Sequence, residues 1–164
     1  LLTNMESMLF WSKGQMENFK PNIRIVPVSG LFDYIQKFFG ETEHTRIRFS
    51  QTPAQDLLVS TDENYLQIIM QNLTSNAIKA LKNKPDGIIE WVARKEGDKT
   101  ILSITDNGPG INPEQVKALY EDKVTVNEKS GFGLHLVKDL ARAIQYKISV
   151  EPRPGMGTTF ILST

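Results

Sequence analysis

The spacing of apolar residues predicts five helices and six strands in mixed order. Apolar residues recur with helical spacing over 1–19, 29–39, 63–82, 112–120 and 131–145. Alternating or β-branched runs predict strands at 45–50, 56–60, 87–94, 99–105, 147–151 and 158–162. Because helices and strands do not alternate regularly, the order predicts an α+β fold, a two-layer sandwich with a mixed β-sheet packed on helices.

Capping and turn residues set the ends of these elements. Asp62 is the expected N-cap of the longest interior helix, and Ser29 is expected to cap the helix before it. Gly40 is expected to end that earlier helix. Residues 96–99 are expected to join two strands as a hairpin.

Residues 1–20 have a different pattern from the rest of the chain. Leu2, Met5, Leu9 and Met16 follow a three-four alternation typical of a short coiled coil. The alternative is an amphipathic helix docked on its own domain. Since the chain opens with Leu1 in mid-pattern, we expect it to be a fragment, with residues 1–20 as a linker helix and residues 21–164 as one domain.

Composition narrows the classes of function. The 164 residues carry 19 basic and 19 acidic side chains and no cysteine. The balanced charge argues against nucleic acid as the main partner, and the absence of cysteine excludes disulfides and thiol catalysis. No apolar run reaches the roughly 20 residues of a membrane span, so we expect no direct membrane contact by this segment.

Three polar residues share one face of the long helix. Asn72, Asn76 and Lys79 are spaced four and three residues apart, at the edge of its apolar face. Amide oxygens are ligands suited to Mg²⁺, and an ammonium group attracts phosphate. A solvated polar stripe beside the core is the structural alternative.

An acidic residue ends the strand 99–105. The period of two places Asp106 on the same face as Leu102 and Ile104, so its carboxylate points toward the core and requires a hydrogen-bond donor. Gly108 and Gly110 follow, where the backbone can come close to a ligand. A flat heterocycle with an exocyclic amine would satisfy the carboxylate; the alternative is an ordinary Asx-turn.

Glycines also open the last predicted helix. Gly131 and Gly133 precede Leu134 after a polar loop, and the free N–H groups at a helix start bind anions such as phosphate. A glycine turn at Gly155 and Gly157 precedes Thr158 in the closing hairpin.

Four segments, taken in order, resemble the ATP-binding domain of sensor histidine kinases. They are 72–79 (NLTSNAIK), 106–110 (DNGPG), 131–134 (GFGL) and 155–160 (GMGTTF). The resemblance covers roughly residues 29–164 and extends to gyrase, the Hsp90 chaperones and MutL. It implies a Bergerat-type fold, with about five strands packed on three helices, ATP between the helices, and a mobile lid.

The resemblance also implies roles for individual residues. Asn76 would hold Mg²⁺ and act in catalysis with Lys79, with Asn72 as a phosphate-side neighbour. Asp106 would accept from the adenine amino group. The other expected nucleotide contacts come from the glycine segments and the closing hairpin, namely Gly108, Gly110, Gly131, Gly133, Leu134 and Thr158.

The implied activity is transfer of the γ-phosphate of Mg-ATP to a histidine in two-component signalling. Gyrase and Hsp90 place a glutamate base four residues before the metal-binding asparagine, where this chain has Asn72, so transfer is favoured over hydrolysis. A degenerate nucleotide-binding or scaffold module and an anti-sigma serine kinase of the same fold are the alternatives.

The resemblance further implies partners. His44 and His135 are the only histidines, and neither is followed by an acid as the family's acceptor is. The acceptor is therefore expected on an upstream dimerisation domain of a homodimeric, cytoplasmic or membrane-anchored sensor that signals to a response regulator. The family usually has glycine at the position of His135, which we expect to be buried or capping.

Overall fold

The computed structural model describes residues 20–40, 45–111, 116, 117, 120, 132–153 and 156–164. These residues form three helices and seven strands. In chain order the elements are β1 (Arg24–Pro27), α1 (Val28–Phe39), β2 (Thr45–Thr52), β3 (Leu58–Thr61), α2 (Glu63–Ala80), β4 (Gly87–Glu96), β5 (Lys99–Asp106), α3 (Phe132–Ala143), β6 (Lys147–Arg153) and β7 (Gly157–Ser163).

Five of the strands form one mixed sheet in the order β2-β4-β5-β7-β6. Strand β2 runs parallel to β4, and the other three pairs are antiparallel. The hairpin predicted between β4 and β5 is present, with Glu96 opposite Lys99. The register continues across the centre of the sheet, where Asp106 lies opposite Ile89 on one side and Thr158 on the other.

The helices cover one face of this sheet and enclose the core. Trp91 on β4 is fully buried, and its indole N–H donates to the Thr74 hydroxyl on α2 at 2.9 Å. Helix α1 packs through Phe32, whose ring centre lies 5.0 Å from that of Phe49 on β2. The predicted α+β sandwich of a five-stranded mixed sheet on three helices is therefore confirmed.

Helix α2 begins at its predicted cap. The side chain of Asp62 accepts from the backbone N–H of Tyr65 at 3.1 Å, which satisfies one of the free donors of the first turn. One face of the helix is buried, and its members are Leu66, Ile69, Met70, Gln71, Leu73, Thr74 and Ala77. The helix therefore holds a fixed rotation about its axis, which fixes where its polar edge points.

The start of α1 differs from the prediction. The N-cap position is Pro27, which makes no side-chain capping bond, and Ser29 lies inside the helix. Asp56 accepts instead from both the N–H and the hydroxyl of Ser29, at 3.2 and 2.8 Å. An aspartate from another segment thus accepts a hydrogen bond from the first turn of the helix, as the serine was expected to do. Gly40 follows the helix with a φ of 62°, as predicted.

A second, two-stranded sheet was not predicted. Strands β1 and β3 pair antiparallel, with Arg24 opposite Thr61 and Pro27 opposite Leu58. Val26 and Val59 face the core, whereas Ile25 on the opposite face is 73% exposed. Because β1 has only four residues and an exposed isoleucine, its pattern does not distinguish a strand from a loop.

Some predicted elements lie outside the described residues. They are the helix at 1–19, most of the helix at 112–120, of which the described residues 116, 117 and 120 are helical, and the polar loop before Gly131. Within the described ranges, no helix combines the length and apolarity needed to cross a membrane.

We predict that Gly157→Ala strongly destabilises the fold. Gly157 has a φ of 112°, and a Cβ there would lie 1.9 Å from the carbonyl oxygen of Asp106, so strands β5 and β7 would have to move apart. We expect thermal or urea denaturation to give a loss of more than about 3 kcal/mol in the free energy of unfolding.

The matched control is Gly97→Ala. Gly97 also has a positive φ of 59°, but an added Cβ would meet nothing within 4 Å. Backbone strain alone predicts a loss of only about 1 kcal/mol. Equal losses in the two variants would contradict the steric explanation.

Candidate functional site

A cavity of about 320 Å³ opens between α2, α3 and the edge of the sheet where β5 ends. Its polar lining comes from Asn76, Lys79, Asp106 and Thr158. The remaining wall is mostly apolar, and its members are Leu73, Ala77, Ala80, Ile104, Pro109, Gly110, Ile111, Leu134 and Phe160. Apolar walls with a few convergent polar groups are typical of a small-molecule site.

Asp106 lies at the wall of this cavity with only 6% of its surface exposed. Its Oδ1 accepts from the backbone N–H of Gly108 at 2.9 Å, and the backbone N–H of Thr158 makes a further hydrogen bond to the carboxylate. The first bond is the Asx-turn considered as an alternative, so the carboxylate both forms the turn and faces the cavity.

Burial raises the pKa of the Asp106 carboxyl above its ordinary value, and the hydrogen bonds from Gly108 and Thr158 act in the opposite direction. The ionised form is therefore held at a cost in desolvation free energy. A ligand that donates a hydrogen bond to this carboxylate would recover part of that cost.

The loop after Asp106 is anchored to the sheet by Asn107. The side-chain oxygen of Asn107 accepts from the N–H of Ile88 at 2.7 Å, and its amide group donates to the carbonyl of Asp86 at 3.1 Å. No role for Asn107 was predicted from the sequence. A polar residue between Asp106 and Gly108 is ordinary in an Asx-turn, so its presence there did not indicate the contacts with Ile88 and Asp86.

The two glycines of this loop have different roles. Gly110 has a φ of 101° and lines the cavity. Gly108 does not line it, but a Cβ there would approach Asp106 Oδ1 to 2.9 Å and the side chain of Leu81 to 3.3 Å. Gly108 therefore permits the close packing that holds the carboxylate.

The three polar residues of α2 separate into two groups. Asn76 and Lys79 line the cavity. Asn72 lies one turn earlier, where its side-chain amide donates to the carbonyl of Ile68 at 2.8 Å. Its Oδ1 lies 2.9 Å from the place of a Cβ on Gly133, so Asn72 and Gly133 are in close contact at the start of α3.

The remaining predicted residues are partly accounted for. Leu134 and Thr158 line the cavity, whereas Gly131 is outside the described residues. Sequence reasoning missed the apolar wall, above all Ile104 and Phe160, because apolar residues on central strands are expected in any core. Gly157 was predicted in the turn of the closing hairpin, within the segment 155–160. The structure shows in addition that its missing Cβ leaves room for the carbonyl oxygen of Asp106.

His135 is buried, as predicted, with 7% of its surface exposed. Its Nε2 is inaccessible to water and has no hydrogen-bond partner among the described residues. His135 does not line the cavity.

Residues 61–164 match the family described as "Histidine kinase-, DNA gyrase B-, and HSP90-like ATPase". The chain therefore belongs to this family of ATPase domains.

Two comparisons identify relatives in sequence and in structure. The sensor histidine kinase YxdK of Bacillus subtilis is 26% identical over 165 residues, which cover 94% of this chain and 50% of YxdK. The catalytic domain of the histidine kinase ThkA superposes with a TM-score of 0.73 at 23% identity, covering 87% of this chain and 95% of that domain.

Full-length ShkA, solved in complex with AMPPNP, superposes with a TM-score of 0.79 at 22% identity. The match covers 99% of this chain and 35% of ShkA. The chain thus spans about half of YxdK and about a third of ShkA. At these identities the structural matches establish the fold.

We predict a pH dependence of adenosine binding that depends on Asp106. Only the ionised carboxylate accepts from an amino group with both oxygens, and the raised pKa means that protonation begins at a higher pH than for an ordinary aspartate. Titration calorimetry with adenosine, which carries no phosphate, should show affinity falling as the pH is lowered from about 7 to about 4.

The raised pKa of Asp106 also makes the stability of the fold depend on pH. Because the folded state binds this proton more tightly than the unfolded chain, the contribution of Asp106 to stability is present below its ordinary pKa and is lost as the pH rises through the raised value. Asp106→Asn should remove this dependence and weaken adenosine binding, while the exposed Asp86→Asn should change neither. Identical pH profiles for Asp106→Asn and the wild type would refute the assignment.

Proposed function

We propose that this chain binds Mg-ATP and donates the γ-phosphate to a histidine on an upstream dimerisation domain of a sensor histidine kinase. The observation that carries the proposal is that Asp106, Asn76 and Lys79 all line the same cavity. It combines an acceptor for a base with an amide and an ammonium group for the phosphates. The signal would then pass to a response regulator.

The end of the cavity near Asp106 fits the adenine base. A carboxylate flanked by Ile104 and Phe160 favours a flat ring with an exocyclic amine. Thr158 is held in register with Asp106 by the β5–β7 pairing. The base would thereby be fixed by strands, which are more rigid than loops.

The α2 side of the cavity fits the phosphates and a cation. Asn76 would hold Mg²⁺ through its amide oxygen, and Lys79, which is exposed at the cavity mouth, would contact phosphate oxygen. The metal, when bound, neutralises charge on the phosphates during transfer. Asn72, in contact with Gly133, would position the start of α3 beside them.

The site favours transfer over hydrolysis. An amide occupies position 72, and amides do not accept a proton from water near neutral pH. Among the described residues His135 is the only histidine, and its Nε2 is buried away from any incoming phosphate. His44 lies outside the described residues and is followed by Thr45, not by the acid that follows the family's acceptor, so we infer that the acceptor histidine is supplied from another part of the full-length protein.

Binding of the nucleotide is tested by calorimetric titration with a non-hydrolysable ATP analogue, with and without Mg²⁺. We expect Asn76→Ala to abolish the strengthening of affinity by Mg²⁺, because the amide ligand is removed. Asn83→Ala is the matched control, since Asn83 is exposed beyond the end of α2 and does not line the cavity. Metal-dependent affinity retained in Asn76→Ala would overturn the assignment, and no binding to the wild type at millimolar ligand would favour a degenerate scaffold.

The absence of a base at position 72 leads to a second prediction. The 164-residue chain should neither label itself with the γ-phosphate of ATP nor hydrolyse ATP rapidly, because neither of its histidines is followed by an acid as the family's acceptor is, and position 72 carries an amide in place of a base. Radiolabel incorporation and phosphate release are the measurements. Rapid steady-state hydrolysis would contradict the proposal.

A further inference from the structure

One buried carboxylate joins the start of α2 to the segment that precedes β1. Asp62 is 7% exposed, and its two oxygens accept from two backbone N–H groups far apart in sequence. Oδ1 accepts from Tyr65 at 3.1 Å, and Oδ2 accepts from Asn22 at 2.7 Å. Charge-assisted hydrogen bonds of this kind are stronger than those between neutral groups.

A second side chain of the same helical turn makes a parallel contact. Tyr65 is hydrogen-bonded to the backbone of Lys20. The pairing of Arg24 with Thr61 then continues the attachment immediately beyond Asn22. Residues 20–24 are therefore held to the first turn of α2 and to the two residues before it by three successive contacts.

Helix α2 carries the phosphate side of the proposed site. Asn76 lies 14 residues after Asp62, which at about 1.5 Å per residue is about 21 Å along the helix. The buried face of the helix fixes its rotation. A segment fixed at the start of α2 is therefore fixed relative to Asn76 and Lys79.

We propose that Asp62 is a positioning residue for phosphoryl transfer: it fixes the segment 20–22 relative to the nucleotide site. This inference rests on the proposed function, in which the acceptor histidine lies upstream. Transfer requires the reacting atoms to be within about 3.5 Å, so freedom in this segment lowers the rate of transfer without changing the affinity for nucleotide.

Two substitutions break the contact with Asn22 and keep the helix cap. Asp62→Asn retains one acceptor oxygen, and asparagine is as good an N-cap as aspartate. The side-chain NH2 of the new asparagine would then face the backbone N–H of Asn22. Because both groups are donors, no hydrogen bond forms between them. Asp62→Ser retains a capping hydroxyl but is too short to serve both N–H groups.

Asp56→Asn is the matched control. Asp56 also accepts two hydrogen bonds, both from Ser29 on α1, and has a further side-chain hydrogen bond with Gln51 on β2, so that none of its partners lies on α2. It therefore reports what the loss of such a carboxylate does elsewhere in the same domain.

The first measurement is amide hydrogen exchange of the 164-residue chain by NMR. We expect exchange at Asn22 to accelerate by about tenfold or more in Asp62→Asn and Asp62→Ser, with exchange at Tyr65 unchanged. In Asp56→Asn the change should be confined to the region of Ser29. Unchanged exchange at Asn22 in both Asp62 variants would overturn the proposal.

The second measurement uses the full-length protein, with the rate of histidine labelling at saturating radiolabelled ATP and the affinity for the ATP analogue. Both Asp62 variants should label about tenfold more slowly with affinity within about twofold of the wild type. An unchanged labelling rate would overturn the positioning role of Asp62. An equal loss of rate and affinity would also overturn it, because it would show that Asp62 acts only through the stability of the helix. A wild-type protein that labels no histidine would refute the proposed function instead, and the exchange at Asn22 would then decide by itself whether Asp62 holds the segment.

Discussion

The backbone N–H groups of Gly108 and Thr158 donate hydrogen bonds to the carboxylate of Asp106, which is otherwise removed from water. This arrangement requires β5 and β7 to lie side by side in one register. It also requires Gly157, because any side chain there would collide with the backbone of Asp106. One charged group that is buried and must be hydrogen-bonded therefore accounts for three features. They are the pairing of the strands, the turn after β5 and the wall of the cavity.

The second organising element is α2. Its buried face is fixed against the sheet by contacts such as the hydrogen bond from Trp91 to Thr74. Its polar edge therefore presents Asn76 and Lys79 to the cavity opposite Asp106. In the proposed function, a base-binding group on the sheet and phosphate-binding groups on a helix would then enclose one ligand from two directions. The same helix is capped by Asp62, whose carboxylate also accepts a hydrogen bond from the backbone N–H of Asn22.

Much of this could be predicted from sequence because the deciding interactions are local. The cap at Asp62, the β4–β5 hairpin and the inward direction of Asp106 follow from neighbours in the chain. The parallel pairing of β2 with β4 and the sheet of β1 with β3 join distant segments, and no local pattern specifies them. Ser29 failed as a cap for the same reason, since its partner Asp56 lies 27 residues away. The contact of Asn72 with Gly133 likewise depends on how two helices pack.

In the proposed function, Asp106 and Asn76 act on opposite ends of one nucleotide. A crystal structure of this chain with a non-hydrolysable ATP analogue and Mg²⁺ would show both contacts at once. We expect the adenine amino group within hydrogen-bond distance of the Asp106 carboxylate and the Asn76 amide oxygen coordinated to the metal. A nucleotide bound outside the cavity, or bound with its phosphates against Asp106, would contradict this expectation.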